Sequence, residues 1–329
     1  MRACDMIDLA FTIGEQTRAL RTLHDPSDQE ALLHLLRVLF AAGRKDLPLG
    51  RLFEGQVDAL QIVSRYGSAE QRTRLVDAVA AGGIVGVWNA DLPGKPLVLK
   101  EGRLEGGKSF ASGAGMVTHA LVTVEGNGGR QLILVDLVRT PPTIDRKFWQ
   151  VIGMQRSETH IVCWDGDHIR PNDLIGQPGD YVREPWFSGG AMRFAAVQAG
   201  GIAALVDQTR DHLVATGRTD DPHQAGRLAD LYGLAETASG SVRNAAKGWF
   251  GDETTRLPLV SAARTAVYDA GGRALALAQE AVGVSALFVS HPLAATITDL
   301  SMYLRQPGPD AQRMRVGAAV ASGVLNPSL

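Results

Sequence analysis

Residues 120–138 read Ala120-Leu121-Val122-Thr123-Val124-Glu125-Gly126-Asn127-Gly128-Gly129-Arg130-Gln131-Leu132-Ile133-Leu134-Val135-Asp136-Leu137-Val138. Two runs of β-branched and aliphatic residues flank a glycine-rich turn, which is the pattern of two strands joined by a short connection. The same texture extends outward, from residue 84 to about 181. Further runs lie at 84–87, 97–99 and 159–164, and Pro93-Gly94, Glu105-Gly106-Gly107 and Asp165-Gly166-Asp167 read as turns. No helical period separates these runs, so they predict a compact antiparallel domain and not a series of βαβ units.

On both sides the period changes to that of helices. Ser27 and Glu30 have capping-box spacing, and Leu32, Leu35, Leu36, Leu39 and Phe40 follow on one helical face. Ser68 and Gln71 form a second such box ahead of Leu75, Val76 and Val79, with Gly82-Gly83 closing that helix. Pro171, Pro178 and Pro185 mark the exit from the β region. Beyond Trp186, the residues Phe194, Val197, Gly201, Leu205 and Leu213 share a face, and 224–246 and 259–281 are alanine-rich at helical spacing. Residues 283–304 read as helix divided near His291-Pro292, and 307–329 as a short irregular segment with a last helical turn. The expected fold class is therefore α+β, mainly α. It has N-terminal helices (1–82), a small central antiparallel β domain (83–182) and a C-terminal helical bundle (183–329).

The 329 residues are 45% hydrophobic and 21% charged, the balance of a packed chain with no disordered tract. A net charge of −2 leaves no electrostatic footprint for a nucleic-acid backbone or an anionic membrane. Cys4 and Cys163 cannot build a disulfide framework, and the eight histidines show no metal-ligand spacing, so no metal is expected. The first residues lack the basic start and apolar core of a signal peptide, and no apolar run reaches the roughly 20 residues of a membrane span. The expected location is the cytoplasm.

There is no P-loop, no strand–G-x-G-x-x-G–helix and no G-x-S-x-G. His119 and His160, at strand starts, read as structural or exposed, and His291 as a helix cap ahead of a catalytic role. Gly200-Gly201 and Gly271-Gly272 read as sites of close helix packing. Glu184, in Arg183-Glu184-Pro185-Trp186-Phe187, reads as a surface ion-pair or helix-start acid, with a replacement carboxylate at the β-to-helix junction as the alternative. Trp186 and Phe187 read as hinge packing, with the lining of a ligand cleft as the alternative.

Four phrases carry a resemblance. Residues 106–114, Gly-Gly-Lys-Ser-Phe-Ala-Ser-Gly-Ala, with Thr118-His119-Ala120 after them, resemble G-x-K-x-W-I-[TS]-N-[AG] with its A-D sequel. Residues 153–159, Gly-Met-Gln-Arg-Ser-Glu-Thr, resemble G-x-R-x-[ST]-x-T. Residues 167–176 resemble a V-P-x-x-x-x-L-G exit. Gln279 and Gly283, then His291-Pro292-Leu293 and Asp299, resemble Q-x-x-G-G…P-L…R-D. In this order, with β texture only between helical blocks, the chain resembles the acyl-CoA dehydrogenase family over most of its length.

The resemblance implies an FAD buried against a small sheet. Phe110 would stand for the family's ring-contacting Trp, with Ala111 beside it and the Ser112 hydroxyl near the flavin's N5 and pyrimidine edge. Trp88 and Asn89 lie where the first strand meets the cofactor. Arg218 and Gln279 match the places that hold the adenosine end across a subunit boundary, which implies a homodimer or homotetramer, and Gly283 of the same late phrase counts among the cofactor-binding residues. The plainer reading makes Phe110 and Trp88 core aromatics.

The family's catalytic carboxylate has no counterpart. Counting eight residues on from Asp299 gives Pro307, followed by Gly308, and the alternative Glu-Arg pair reads Met192-Arg193. The T-E-P-x-x-G-S-D loop is reduced to residues 89–95. No catalytic residue is therefore assigned. The implied function is an FAD-dependent oxidoreductase acting on an acyl thioester or related small substrate, with an electron-transfer partner. The alternatives are a flavin monooxygenase of the same fold served by a flavin reductase, and a binding or assembly paralogue without catalysis.

Overall fold

The computed structural model describes residues 3–20, 23–126, 128–306 and 308–327. Helices come first: α1 (Ala3–Arg18), α2 (Gln29–Lys45), α3 (Leu47–Tyr66) and α4 (Ala69–Ala80). The strands are β1 (Val85–Trp88), β2 (Val98–Lys100), β3 (Arg103–Ala111), β4 (His119–Gly126), β5 (Gly129–Asp136), β6 (Thr143–Asp145), β7 (His160–His168) and β8 (Leu174–Ile175). Helices close the chain: α5 (Trp186–Gly189), α6 (Ala191–Ala215), α7 (Pro222–Gly248), α8 (Glu253–Val282), α9 (Pro292–Tyr303) and α10 (Pro309–Ala321).

These elements pack as two compact units that cut across the three consecutive blocks suggested by texture. The first holds Met1–Pro26, Leu52–Val151 and Gln155–Phe187, and the second holds Ser27–Arg51, Ile152–Met154 and Ser188–Leu329. Packing partners define the units. Most of α3 and all of α4 cover the sheet, while α2 belongs with the C-terminal helices.

In the first unit the strands run in the order β6-β7-β3-β2-β4-β5-β8, and β1 pairs with β4. The sheet is not purely antiparallel, as the sequence had suggested. β1 lies parallel to β4 from Val85↔His119 to Trp88↔Val122, and β2 meets β4 in parallel at Val98↔Glu125. The stretch between β1 and β4 already carries β2 and β3, so β1 and β4 need no tight turn and can run in the same direction. Apolar faces of α3 (Ala59, Leu60, Ile62, Val63) and α4 (Leu75) bury Val85, Leu121, Leu132, Leu134 and Ile175 of the sheet. Gln56 ties the layers together: its Oε1 accepts from the Val85 N–H at 3.1 Å, and its Nε2 donates to Thr17 Oγ1 at 2.6 Å.

Strand β3 passes straight through Gly106-Gly107, which the sequence had presented as a turn. The glycines answer to crowding. A Cβ on Gly106, where φ is +102°, would lie 2.1 Å from the Pro96 carbonyl oxygen, and one on Gly107 would lie 2.6 Å from that of Val162. The box at Ser68 forms as expected, with Gln71 N–H donating to Ser68 Oγ and Ser68 N–H donating to Gln71 Oε1. The one at Ser27 shifts by a residue. Asp28 is the N-cap and accepts from the Ala31 N–H at 2.9 Å, because a carboxylate suits the positive helix end better than a hydroxyl does. Ser27 Oγ instead donates to Asp28 Oδ2 at 3.0 Å. The expected hinge aromatics pack within the first unit. The Arg65 guanidinium lies 4.4 Å over Trp186, and Phe187 meets Tyr181 edge-on at 5.2 Å.

In the second unit α2 and α6 approach through glycine. A Cβ on Gly43 would lie 2.1 Å from the Val197 carbonyl oxygen, and one on Gly200 would lie 2.1 Å from that of Phe40. Backbone cannot swing aside as a side chain can, so Gly200→Ala is expected to cost about 2–3 kcal/mol in urea unfolding. Gly272 is the control. Nothing lies within 4 Å of its added Cβ, which corrects the expectation of close packing there, and Gly272→Ala is expected to stabilise by about 0.5–1 kcal/mol. The C-terminal segment, expected to be largely irregular, contains the full helix α10. Trp186–Ala215 is long and apolar enough to cross a membrane by length and composition, yet 72% of its most apolar window is buried inside the protein, as in a core helix.

Candidate functional site

Strands β3 and β7 pair regularly from Arg103↔His168 to Lys108↔Val162 apart from one slip near Glu105, then slip again and resume at Ala111↔His160. Ser109 and Phe110 thus oppose Ile161 alone, which is a β-bulge. At the bulge Phe110 takes φ +52°, a conformation that costs an L-residue about 1–2 kcal/mol. Neighbouring bonds hold it there. Ser109 N–H donates to the Ala90 carbonyl at 2.9 Å, Ser109 Oγ donates to the Asp91 carbonyl at 2.9 Å, and Gly113 N–H donates to the Ser157 carbonyl at 2.8 Å.

The bulge turns the Phe110 ring outward, and it is 50% exposed. It meets Phe148 edge-on at 5.1 Å and Trp149 edge-on at 6.4 Å, while those two rings stack at 6.3 Å. Three aromatics therefore form a half-open apolar wall on the first unit. Phe148 and Trp149 escaped the sequence reading. Their one signal was an aromatic doublet in a segment without strand period.

Ser112 lies two residues beyond. Thr159 Oγ1 donates to Ser112 Oγ at 3.1 Å and lies 2.8 Å from Ser157 Oγ. With Thr159 committed to Ser112, Ser157 donates to Thr159, and the half-buried Ser112 hydroxyl keeps its own proton free of an acceptor among the described residues. Beside this chain the buried Glu158 carboxylate accepts from Arg146 Nη1 at 2.8 Å and from His160 Nε2 at 3.0 Å. Of the two places the sequence allowed His160, structural or exposed, it takes the first. It is buried, and its Nδ1 has no partner.

The other residues that the resemblance assigned to the cofactor divide. Ala111 is buried and contributes backbone beside the bulge. Trp88 is a core residue, in line with the plainer reading. It is 1% exposed, tilted against Trp164 at 6.4 Å, and its Nε1–H donates to the Ser112 carbonyl at 2.9 Å. Asn89 belongs to a polar cluster under the bulge, where its Oδ1 accepts from Arg130 Nη1 at 2.9 Å and from Thr123 Oγ1 at 3.1 Å. The centre of that cluster is Lys108, wholly buried, whose Nζ donates to Asp91 Oδ1 at 2.5 Å and to Thr123 Oγ1 at 2.9 Å. Burial pulls the Lys108 pKa below its ordinary value, outweighing the opposing pull of Asp91. Trp88 and Asn89 thus support the bulge from behind.

Arg218, Gln279 and Gly283 fall in the second unit, at the end where α7 begins and α8 finishes. Arg218 follows α6, Gln279 Nε2 donates to the Leu275 carbonyl at 2.8 Å, and Gly283 caps α8 with φ +80°. Two phrases of the resemblance also meet in this unit. Met154 N–H donates to Asp299 Oδ1, and a Cβ on Gly153 would lie 2.1 Å from the Thr298 carbonyl oxygen. Met192 is buried, Glu184 is exposed, and Pro307 lies outside the described residues. Among the described residues no group of His, Cys, Asp and Glu is arranged to hold a metal ion.

His291 caps α9 as expected, its Nδ1 accepting from the Leu293 N–H at 3.2 Å. That bond fixes the tautomer. Nε2 must carry the proton that His291 donates to His212 Nδ1 at 3.1 Å. Burial first, then His291 and Arg218, lower the His212 pKa below its ordinary 6.5. A His with a depressed folded pKa contributes fully above the unfolded value and loses that contribution as pH falls below it. Stability is expected to decline from pH 7 to pH 5 more steeply in the native chain than in His212→Gln, read as urea midpoints at each pH.

The sequence matches no family model and no curated protein. The fold does match solved structures. TdsC from Paenibacillus sp. A11-2, a dibenzothiophene monooxygenase solved with FMN and indole, superimposes with TM-score 0.78 at 14% identity over 97% of each chain. KijD3 in complex with FMN and a dTDP-linked amino-keto sugar gives TM-score 0.76 at 18% identity, over 98% of this chain and 92% of that one. Butyryl-CoA dehydrogenase from Megasphaera elsdenii gives 0.72 at 16% identity, over 96% and 97%.

Proposed function

We propose, with the acyl-CoA dehydrogenase fold as premise, that this chain is a flavin-dependent oxidoreductase acting on a small organic substrate. One observation carries the reading: the bulge presents a half-exposed Phe110 beside a Ser112 hydroxyl whose proton is unspent. An isoalloxazine needs an apolar wall and a donor at its polar edge, and both are present. Phe110, Phe148 and Trp149 would hold the ring face, and Ser112, backed by Thr159 and Ser157, its polar edge. A bound flavin supplies two-electron redox chemistry and, once reduced, reactivity towards oxygen. FAD rather than FMN is the form proposed, with Arg218 and Gln279 at the adenosine end of a neighbouring copy in a homodimer or homotetramer.

An acyl thioester is the substrate class that the resemblance implies. A specific feature favours a second reading, oxygen-using chemistry with reduced flavin from a reductase partner. Met192 and Pro307 stand where the family carries its carboxylate, and neither can take a proton from a substrate. The two readings separate on mixing flavin-loaded protein anaerobically with a panel of acyl-CoA thioesters. Bleaching of the visible flavin band supports dehydrogenation. No bleaching, together with a rate of reoxidation by oxygen unlike that of free reduced flavin, supports the second reading. Neither response would defeat both.

A further inference from the structure

A cavity of about 330 Å³ opens within the second unit between α2, α6 and α7. It uses none of the residues assigned to the flavin, and its volume is at the lower end of the range for small-molecule sites. Leu36, Phe40, Ala199 and Val242 give it an apolar floor. Four charged side chains line it as well: Arg37, Arg44, Arg243 and Glu236.

The three guanidinium groups are not equally engaged. Arg44 grips Asp207 with Nε at 2.6 Å and Nη2 at 2.8 Å, leaving Nη1 over. Arg243 Nη2 donates to Glu236 at 3.1 Å across two turns of α7, and both side chains are about half exposed, so that pair is weak and exchangeable. Arg37 is exposed and has no hydrogen-bond or ion-pair partner among the described residues. Apolar walls below and unspent planar donors above suit a ligand with a carboxylate head and an apolar body, because arginine recognises carboxylate through paired N–H bonds.

The geometry points to a binding site for a small amphiphilic carboxylate, with Arg37 as the primary head-group ligand and Glu236 as the native occupant of Arg243. Octanoate is the probe, titrated calorimetrically into the full chain without added flavin, with octylammonium and octan-1-ol as charge controls. Octanoate is expected to bind saturably at one site and octylammonium not at all. Arg37→Ala is expected to weaken octanoate by about tenfold, the weight of one charge-assisted contact. Glu236→Gln is expected to strengthen it by releasing Arg243, and Ser239→Leu, at the lining of α7, to abolish it. Circular dichroism checks that each variant is folded. The proposal is overturned if octanoate gives no saturable heat or if octan-1-ol binds as tightly. Binding that survives both Arg37→Ala and Ser239→Leu unchanged would also overturn it. Failure of flavin to bind the chain would leave each of these outcomes unaffected.

Discussion

Phe110→Ala is expected to weaken flavin binding by roughly 30- to 100-fold, which corresponds to about 2–3 kcal/mol of lost aromatic contact. The ring is the part of the wall that the bulge turns outward, and Phe148 and Trp149 lean edge-on against it, so its removal also unseats their faces. A second variant separates binding from backbone strain. Alanine and glycine remove the same ring, but only glycine is at ease at φ +52°. Phe110→Gly is therefore expected to be about 1 kcal/mol more stable than Phe110→Ala, the reverse of ordinary strand preference. Titration of flavin fluorescence reads the first effect, and urea midpoints read the second. Equal affinity in Phe110→Ala and the native chain would remove Phe110 from the site.

The largest stability loss is expected at Arg264. Its side chain is wholly buried in the second unit, and burial lowers its pKa to about 10. Among the described residues no carboxylate is bonded to it. Its guanidinium donates to Gln198 Oε1 at 2.9 Å, to the Leu304 carbonyl at 2.9 Å and to the Gln306 carbonyl. It lies 5.0 Å over the Phe194 ring. Leu304 and Gln306 follow the last turn of α9, so the charge sits at the negative pole of that helix. Gln198 adds a bond of its own, from Nε2 to the Tyr303 carbonyl at 2.8 Å. Arg264→Met strips three acceptors of their donor, two of them buried and the Gln306 carbonyl partly so, and is expected to cost about 3–5 kcal/mol. Arg264→Lys should recover little of this, since a point charge cannot span three acceptors. The check is the urea midpoint at unchanged slope, and a loss below about 1 kcal/mol would contradict this account of the α9 anchor.

Local signals were legible in the sequence wherever one short-range interaction decides the outcome. The Ser68–Gln71 box, the His291 cap and the continuous aliphatic run 132–135 could each be read from a few neighbouring residues. Gly106-Gly107 misled because the same residue serves a turn and a crowded strand, and what crowds the pair is Pro96, beyond a neighbouring strand, and Val162, distant in the sequence. Ser27 misled because capping box and Asx cap compete one residue apart, and the carboxylate wins.

The site was legible only in part, and for a different reason. Phe110 and Ser112 were singled out by likeness to a family phrase, since nothing in their own spacing marks a bulge. The likeness also drew in Trp88, whose indole N–H is spent on the Ser112 carbonyl inside the core. Phe148 and Trp149 went unread because their role depends on where a connection between strands comes to rest. The hydroxyl chain from Ser157 through Thr159 to Ser112 spans two segments that only the β3–β7 pairing brings together.

The most direct test of the account is whether the purified protein retains flavin. It would be incubated with FAD, and separately with FMN, passed through a desalting column and read by its visible spectrum. The account predicts one flavin retained per chain, with a spectrum shifted from that of free flavin, retention lost in Phe110→Ala, and FAD held more tightly than FMN. A colourless protein from both incubations, still folded by circular dichroism, would contradict it and leave an acyl-CoA dehydrogenase fold kept for binding alone.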